Sequence, residues 1–215
     1  MSRFPAVTAT LILTIGGAPR LAAGQSACSL ERISQSCSGP EANWDSTTPS
    51  SSASGRYVAF SSLASNLVPG DTNAVGDVFV VDRVTLRTER VSIGKSGSEA
   101  NGHSGYNAIS ADGQVVAFGS LASNLDPRDT DPVSDIYVHD RATGKTTLVS
   151  ERMGAGASLQ GCYRLSISAD GRFVAFECID DNVLPGDVNY QPDIFVRDLV
   201  TQTTELVSVG SQGQA

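Results

Sequence analysis

The chain has 215 residues, a net charge of −8 and a pI of about 4.6, with 18 % charged and 6 % aromatic residues but 21 glycines. This composition excludes a coiled coil or helical bundle, which would be far richer in Ala, Glu, Lys and Leu. The acidic balance excludes nucleic acid and anionic membrane as partners, because both require a basic footprint.

In chain order, residues 1–24 come first. Arg3, an apolar stretch from Ala6 to Ile15 and the small-residue segment Leu21-Ala22-Ala23-Gly24 form the pattern of a secretory signal peptide, cleaved after Gly24 or, alternatively, after Ala27. The apolar run is about half the ~20 residues of a membrane-spanning helix. No integral membrane segment is therefore expected after cleavage, and the expected location is periplasmic or secreted. Cleavage removes two arginines and no acid, so the mature charge becomes −10. Four cysteines without a C-x-x-C pair fit an oxidising compartment. Cys28 and Cys37 flank an expected strand at 29–34, which at ~3.3 Å per residue holds them too far apart to bond. Cys162 and Cys178 are symmetric about Asp170 in an Ala169-Asp170-Gly171 turn. A hairpin there would oppose the two sulfurs as a disulfide; the alternative is two buried free thiols.

The body of the chain repeats. Gly55-Arg56-Tyr57-Val58-Ala59-Phe60 recurs as Gly113-Gln114-Val115-Val116-Ala117-Phe118 and as Gly171-Arg172-Phe173-Val174-Ala175-Phe176, each 58 residues on. The same offset links Asn66, Asn124 and Asn182; Asp82, Asp140 and Asp198; and Ser92, Ser150 and Ser208. Each period holds four short apolar segments separated by turn chemistry. In the second copy these are Tyr106 to Ser110, Val115 to Phe118, Ile136 to His139 and Thr146 to Val149, with Asp112-Gly113 and Thr143-Gly144 as turns. Four antiparallel strands per repeat predict a β-propeller blade. The fold class is all-β, with a propeller segment over 25–215. Three four-stranded blades are expected at about 46–92, 104–150 and 162–208, with 29–34 as an orphan outer strand.

The runs Ile109 to Phe118 and Ile167 to Phe176, followed by the Asp-(Val/Ile)-(Phe/Tyr)-Val-x-Asp segments at 77–82, 135–140 and 193–198, resemble the WD-like repeats of TolB-type bacterial β-propellers. The first copy departs from the pattern at Ser51 and Ser54, so its first strand is the least secure. The resemblance implies a propeller fold, while such propellers serve both as binding platforms and as domains attached to peptidases and other enzymes. Three blades fall short of the usual 4–8. The expectation is an N-terminal fragment of a longer propeller, or an open array completed by another chain, with open edge strands available for self-association.

Acidic residues gather in one loop per repeat: 13 of the 23 lie in the windows 63–82, 121–140 and 179–198. Each loop carries an oxygen set: Asp71, Asn73 and Asp77; Asp129, Asp131 and Asp135; Asp187, Asn189 and Asp193. Asp-x-(Asn/Asp) with a third acid four residues later offers the hard oxygen ligands that suit Ca²⁺. The competing reading is structural, since Asp and Asn also cap their own backbone in turns. Asp82, Asp140 and Asp198 are expected to serve hairpin turns.

Catalytic signatures are incomplete. Gly102-His103-Ser104-Gly105-Tyr106 has tyrosine where a nucleophile elbow needs glycine. Gly94-Lys95-Ser96 lacks the upstream glycine of a phosphate loop. His103 and His139, the two histidines, read as surface or turn residues, and Trp44 as packing over a blade. The sequence thus predicts a non-catalytic exported binding or scaffold module for a protein or glycan ligand, with Ca²⁺ as its candidate cofactor. The alternative is the N-terminal propeller portion of a larger enzyme such as a propeller-linked peptidase.

Overall fold

The computed structural model describes residues 31–35, 41–152, 160–179, 183–184 and 191–210, within the compact unit Arg32–Ala215 together with Glu31. The expected signal peptide, Cys28, Cys37, Asp187 and Asn189 lie outside the described residues.

Each repeat folds as one four-stranded antiparallel meander. The first sheet is β1 (Ser46–Ser51), β2 (Tyr57–Ser62), β3 (Asp77–Asp82) and β4 (Arg87–Arg90). The second is β5 (Ser104–Ile109), β6 (Val115–Ser120), β7 (Asp135–Asp140) and β8 (Lys145–Leu148). The third is β9 (Cys162–Ile167), β10 (Phe173–Cys178), β11 (Asp193–Asp198) and β12 (Thr203–Leu206). Among the described residues these three blades do not close into a ring.

The core lies between sheets. Strand alternation sends Val78 and Val80 of β3 toward the second blade, where they join Val116, Phe118 and Tyr137. Phe79 and Val81 face the other way and cluster with Phe60, Ala64 and Leu67. On the second blade, Ala117, Ile136 and Val138 face the third and meet Phe176 and Phe195. A strand buried on both faces needs a continuous apolar run, and Val78-Phe79-Val80-Val81 supplies one. In each blade an aromatic pair is directly opposed across the second and third strands. Phe60/Phe79, Phe118/Tyr137 and Phe176/Phe195 stack at 5.9, 5.9 and 5.8 Å. The first strands β1, β5 and β9 are neighbours across the blades. Backbone bonds join the blades there: Ala53 N–H donates to Ala111, and Ala111 N–H to Ala169, both at 2.9 Å.

One expectation is corrected. Residues 31–34 do not form the orphan strand. The Ala42 N–H instead donates to the Ser34 carbonyl, Gln35 and Glu41 form an isolated bridge, and Ile33 packs under the first blade. That local reversal engages backbone groups a ladder would have used. The first strand of the first blade, β1, forms over six residues like β5 and β9.

Cys162 and Cys178, directly paired across β9 and β10, form a disulfide. The equivalent positions are Ser104 and Ser120 in the second blade, with hydroxyls 2.9 Å apart, and Ser46 and Ser62 in the first, 3.1 Å apart. The site thus accepts a hydrogen bond or a covalent bond in the same register. Replacing both cysteines with serine is expected to preserve the cooperative fold at a cost of about 3 kcal/mol in denaturant unfolding under oxidising conditions. Loss of cooperative unfolding would show that the two kinds of pair are not interchangeable.

Gly113, at the β5–β6 turn, takes φ +77°, and a Cβ there would fall 2.2 Å from Tyr57 Cδ2. That ring cannot retreat easily, because the guanidiniums of Arg56 and Arg141 lie 4.9 and 4.3 Å from its centroid. Gly144 has φ +68° but open space around it. Gly113→Ala should cost about 2–4 kcal/mol in urea unfolding, combining left-handed strain with overpacking, whereas Gly144→Ala should cost only the strain, about 1–2 kcal/mol.

Candidate functional site

The acidic loops are built around one carboxylate per blade. Asp77, Asp135 and Asp193 head the third strands and are buried. Each accepts the hydroxyl of a serine just past the fourth strand: Ser92, Ser150 and Ser208. Each serine oxygen in turn accepts the N–H of Val78, Ile136 or Ile194 at 3.0 Å. The carboxylate therefore locks the start of the third strand to the end of the fourth.

In the first blade the remaining charge meets Arg90, whose Nη1 lies 3.2 Å from Asp71 and from Asp77 and 2.7 Å from Glu99. Asn73 donates its amide N–H to Asp77 at 2.9 Å and turns its oxygen to the Val75 N–H. The cluster thus receives an N–H from Asn73 where Ca²⁺ would need an oxygen. Burial, reinforced by Asp77, raises the Asp71 pKa, while bonds from the Thr72 hydroxyl and N–H hold Glu99 at about 2.

In the second blade Asp129, Asp131 and Asp135 bring carboxylate oxygens within 4.8 Å of one another. The Tyr137 hydroxyl donates to Asp129, and Arg152 pairs with Asp131 while its Nη1 lies 3.7 Å from Asp135 Oδ2. Arg90 and Arg152 are not equivalent in the repeat: 58 residues after Arg90 stands Leu148, and 58 before Arg152 stands Gly94. Two blades recruit a guanidinium from different places to the same buried acids. Ca²⁺ in either loop would have to displace a bonded arginine, so in these two blades the residues fit an ion-pair network better than a resident metal. In the third blade the structure describes Asp193 alone of the three.

A second site lies where the first strands meet. β1, β5 and β9 each carry a bulge, and there Thr48, Tyr106 and Arg164 take φ of 48°, 45° and 39°. The three are 58 residues apart. Left-handed backbone costs an ordinary side chain about 1–2 kcal/mol, and bulges beside binding sites serve to re-aim a side chain. Here the repeat keeps the strained backbone and changes the side chain on it. With Pro49, Asn107 and Leu165 the three line a cleft of about 280 Å³. Tyr106 is 59 % exposed, and Arg164 makes one long ion pair, 3.3 Å to Glu177. Asn107 donates its amide to the Thr48 carbonyl at 2.9 Å, leaving Oδ1 buried without a hydrogen bond. Sequence reading missed this cleft, because Thr48-Pro49, Tyr106-Asn107 and Arg164-Leu165 share no chemistry and only the offset connects them.

Asp82, Asp140 and Asp198 cap the turns between third and fourth strands, accepting the N–H groups of Val84, Ala142 and Val200 at 2.8–2.9 Å. Hydrogen bonds from Arg56 and Arg172 hold Asp82 and Asp198 well below the usual carboxylate range. His139 is not a surface residue. It lies 4 % exposed in β7, 3.0 Å from the Thr146 hydroxyl, and burial lowers its pKa. Trp44 does not pack over a blade: it is 65 % exposed between the Asn43–Asn66 hydrogen bond and β1.

No protein-family model and no curated protein matches this sequence. Among solved structures the chain is similar to TolB from Acinetobacter baumannii, at 14 % identity and a TM-score of 0.47 over 82 % of this chain and 34 % of that one. It is also similar to a putative TolB from Agrobacterium tumefaciens, at 15 % and 0.46 over 77 % and 48 %. A third is the β-propeller domain of the Trilobed protease from Pyrococcus furiosus, at 15 % and 0.44 over 77 % and 41 %. The chain spans between a third and a half of the length of these structures.

Burial pushes the Asp135 carboxyl up to about 6, against the pull of Ser150 and Arg152. Because this folded-state value lies above that of the unfolded chain, Asp135 favours folding at low pH and withdraws that contribution as pH rises from about 4 to about 6. Over this window the stability of the parent should fall relative to that of Asp135→Asn by up to about 3 kcal/mol, read from paired urea titrations. Parallel profiles would place the Asp135 titration elsewhere.

Proposed function

We propose that this chain is an exported, non-catalytic β-propeller module, periplasmic or secreted, that binds a partner through the cleft between its first strands. The observation that carries this reading is the set of three strained bulges at Thr48, Tyr106 and Arg164, converging on one cleft with three different side chains.

The chemistry of the cleft supports an acidic ligand. Arg164 offers a charge-assisted contact to an acidic group, and the exposed Tyr106 ring supplies a flat apolar face with a hydroxyl at its tip. These features suit an acidic peptide segment or an acidic glycan. The buried disulfide supports an oxidising compartment.

The test is a fluorescence-polarisation panel of labelled acidic hexapeptides and acidic oligosaccharides, run against the parent, Arg164→Glu and Tyr106→Gly. Ligands of the cleft should bind about tenfold or more weakly to either variant. Tyr106→Gly should keep the stability of the parent, because glycine relieves the left-handed strain. Ligands indifferent to both substitutions would move the binding surface away from the first strands.

A further inference from the structure

A larger groove, of about 900 Å³, lies between β8, the short 3-10 turn Lys95–Gly97 and the β11–β12 hairpin. The chain has two lysines among its 15 basic residues, Lys95 and Lys145, and both line this groove. Both are exposed, and neither ammonium has an ion pair or hydrogen bond among the described residues. The other charges of the groove are engaged. Arg128 is held by Asp126 at 2.8 Å and by Glu151 at 2.7 Å, and Asp140 caps the Ala142 and Thr143 N–H groups. Two lysines without a direct ion pair thus face one groove in a chain of net charge −8.

The repeat serves as an internal control on what the blade requires. The aromatic pair, the third-strand carboxylate and its serine recur every 58 residues. Lys95 does not: its equivalents are Cys37 and Met153. Lys145 has Arg87 and Thr203 at its equivalents. Neither lysine takes part in those recurring contacts.

We propose that this groove binds an amphipathic organic dianion, with its acidic groups on Lys95 and Lys145 and its apolar body over Val115 and Leu199. An ammonium is a compact point charge that accepts carboxylate or phosphate oxygens without the paired geometry an arginine imposes. The volume falls in the range of pockets that enclose small organic ligands. Val115 and Leu199 are half-buried and offer the apolar surface of the groove, while the lysines are free to close over a ligand. The groove is separate from the cleft of Thr48, Tyr106 and Arg164, and this inference does not rest on the function proposed for that cleft.

Isothermal titration calorimetry with biphenyl-4,4′-dicarboxylate as the probe tests the proposal on the full chain. Saturable binding is expected at low ionic strength, weakening with added salt. It should drop about tenfold or more in Lys95→Ala and in Lys145→Ala, and be retained in the Lys95→Arg, Lys145→Arg double variant. All these substitutions are at exposed positions, and unchanged thermal unfolding confirms that each variant is folded. Absence of saturable binding, equal binding of the neutral biphenyl-4,4′-dicarboxamide, or equal binding by the alanine variants would overturn the proposal. Loss of probe binding in Arg164→Glu would also overturn it, by placing the probe in the first-strand cleft.

Discussion

Asp77, Asp135 and Asp193 sit where a long loop enters the third strand of each blade, and burying a carboxylate there constrains everything around it. The charge has left water, so its oxygens must find hydrogen bonds or a counter-charge nearby. The serine past the fourth strand supplies one bond and passes the polarity on to the next backbone N–H. This relay fixes the register of the third and fourth strands and anchors the loop that precedes them. In the first two blades it also calls in an arginine, and that arginine decides what the loop is able to hold. The loop that looks most like a cation site in sequence already contains its cation.

Much of the fold was legible because propeller blades encode their contacts locally and repeat them. The Asp-Gly turn before β6, the apolar run of β3 and the serine after β4 each leave a mark at a fixed offset. The marks coincide because every blade packs its neighbours in the same way. What repeats can be read from periodicity; what differs between blades cannot. Arg90 and Arg152 reach equivalent acids from inequivalent positions, so no alignment of repeats reveals that they do the same work. The bulges at Thr48, Tyr106 and Arg164 are invisible for a related reason. Their backbone is constant while their side chains share nothing, and sequence reports side chains. His139 misled for a third reason, since a histidine within an alternating strand takes the burial of its face, and both faces of β7 are covered.

The three blades are three solutions to one packing problem, and their differences separate scaffold from surface. In the first and third blades an arginine at the start of the second strand pairs with the aspartate ending the third, Arg56 with Asp82 and Arg172 with Asp198. The second blade has Gln114 in that place, and Arg141 instead reaches across to Glu89 and to the Gly113 carbonyl. The fold absorbs this change by trading a contact within one blade for a contact between two. Variation of that kind keeps the blades together. The variation at the bulges and at the two lysines leaves polar groups facing open space, and there the chain has capacity to recognise something outside itself.

The disulfide adds a temporal dimension to the third blade. Cys162 and Cys178 are 0 % and 1 % exposed, so a reductant in solution reaches their bond only when β9 parts from its neighbours. The rate of reduction under native conditions is then a clock for the spontaneous opening of one inner strand, with no label attached to the chain. The serine pairs at the same place in the other blades open and close without leaving a chemical trace. One substitution in a repeated pair has thus turned a silent breathing motion into a recordable event, at the strand that carries Arg164 into the cleft.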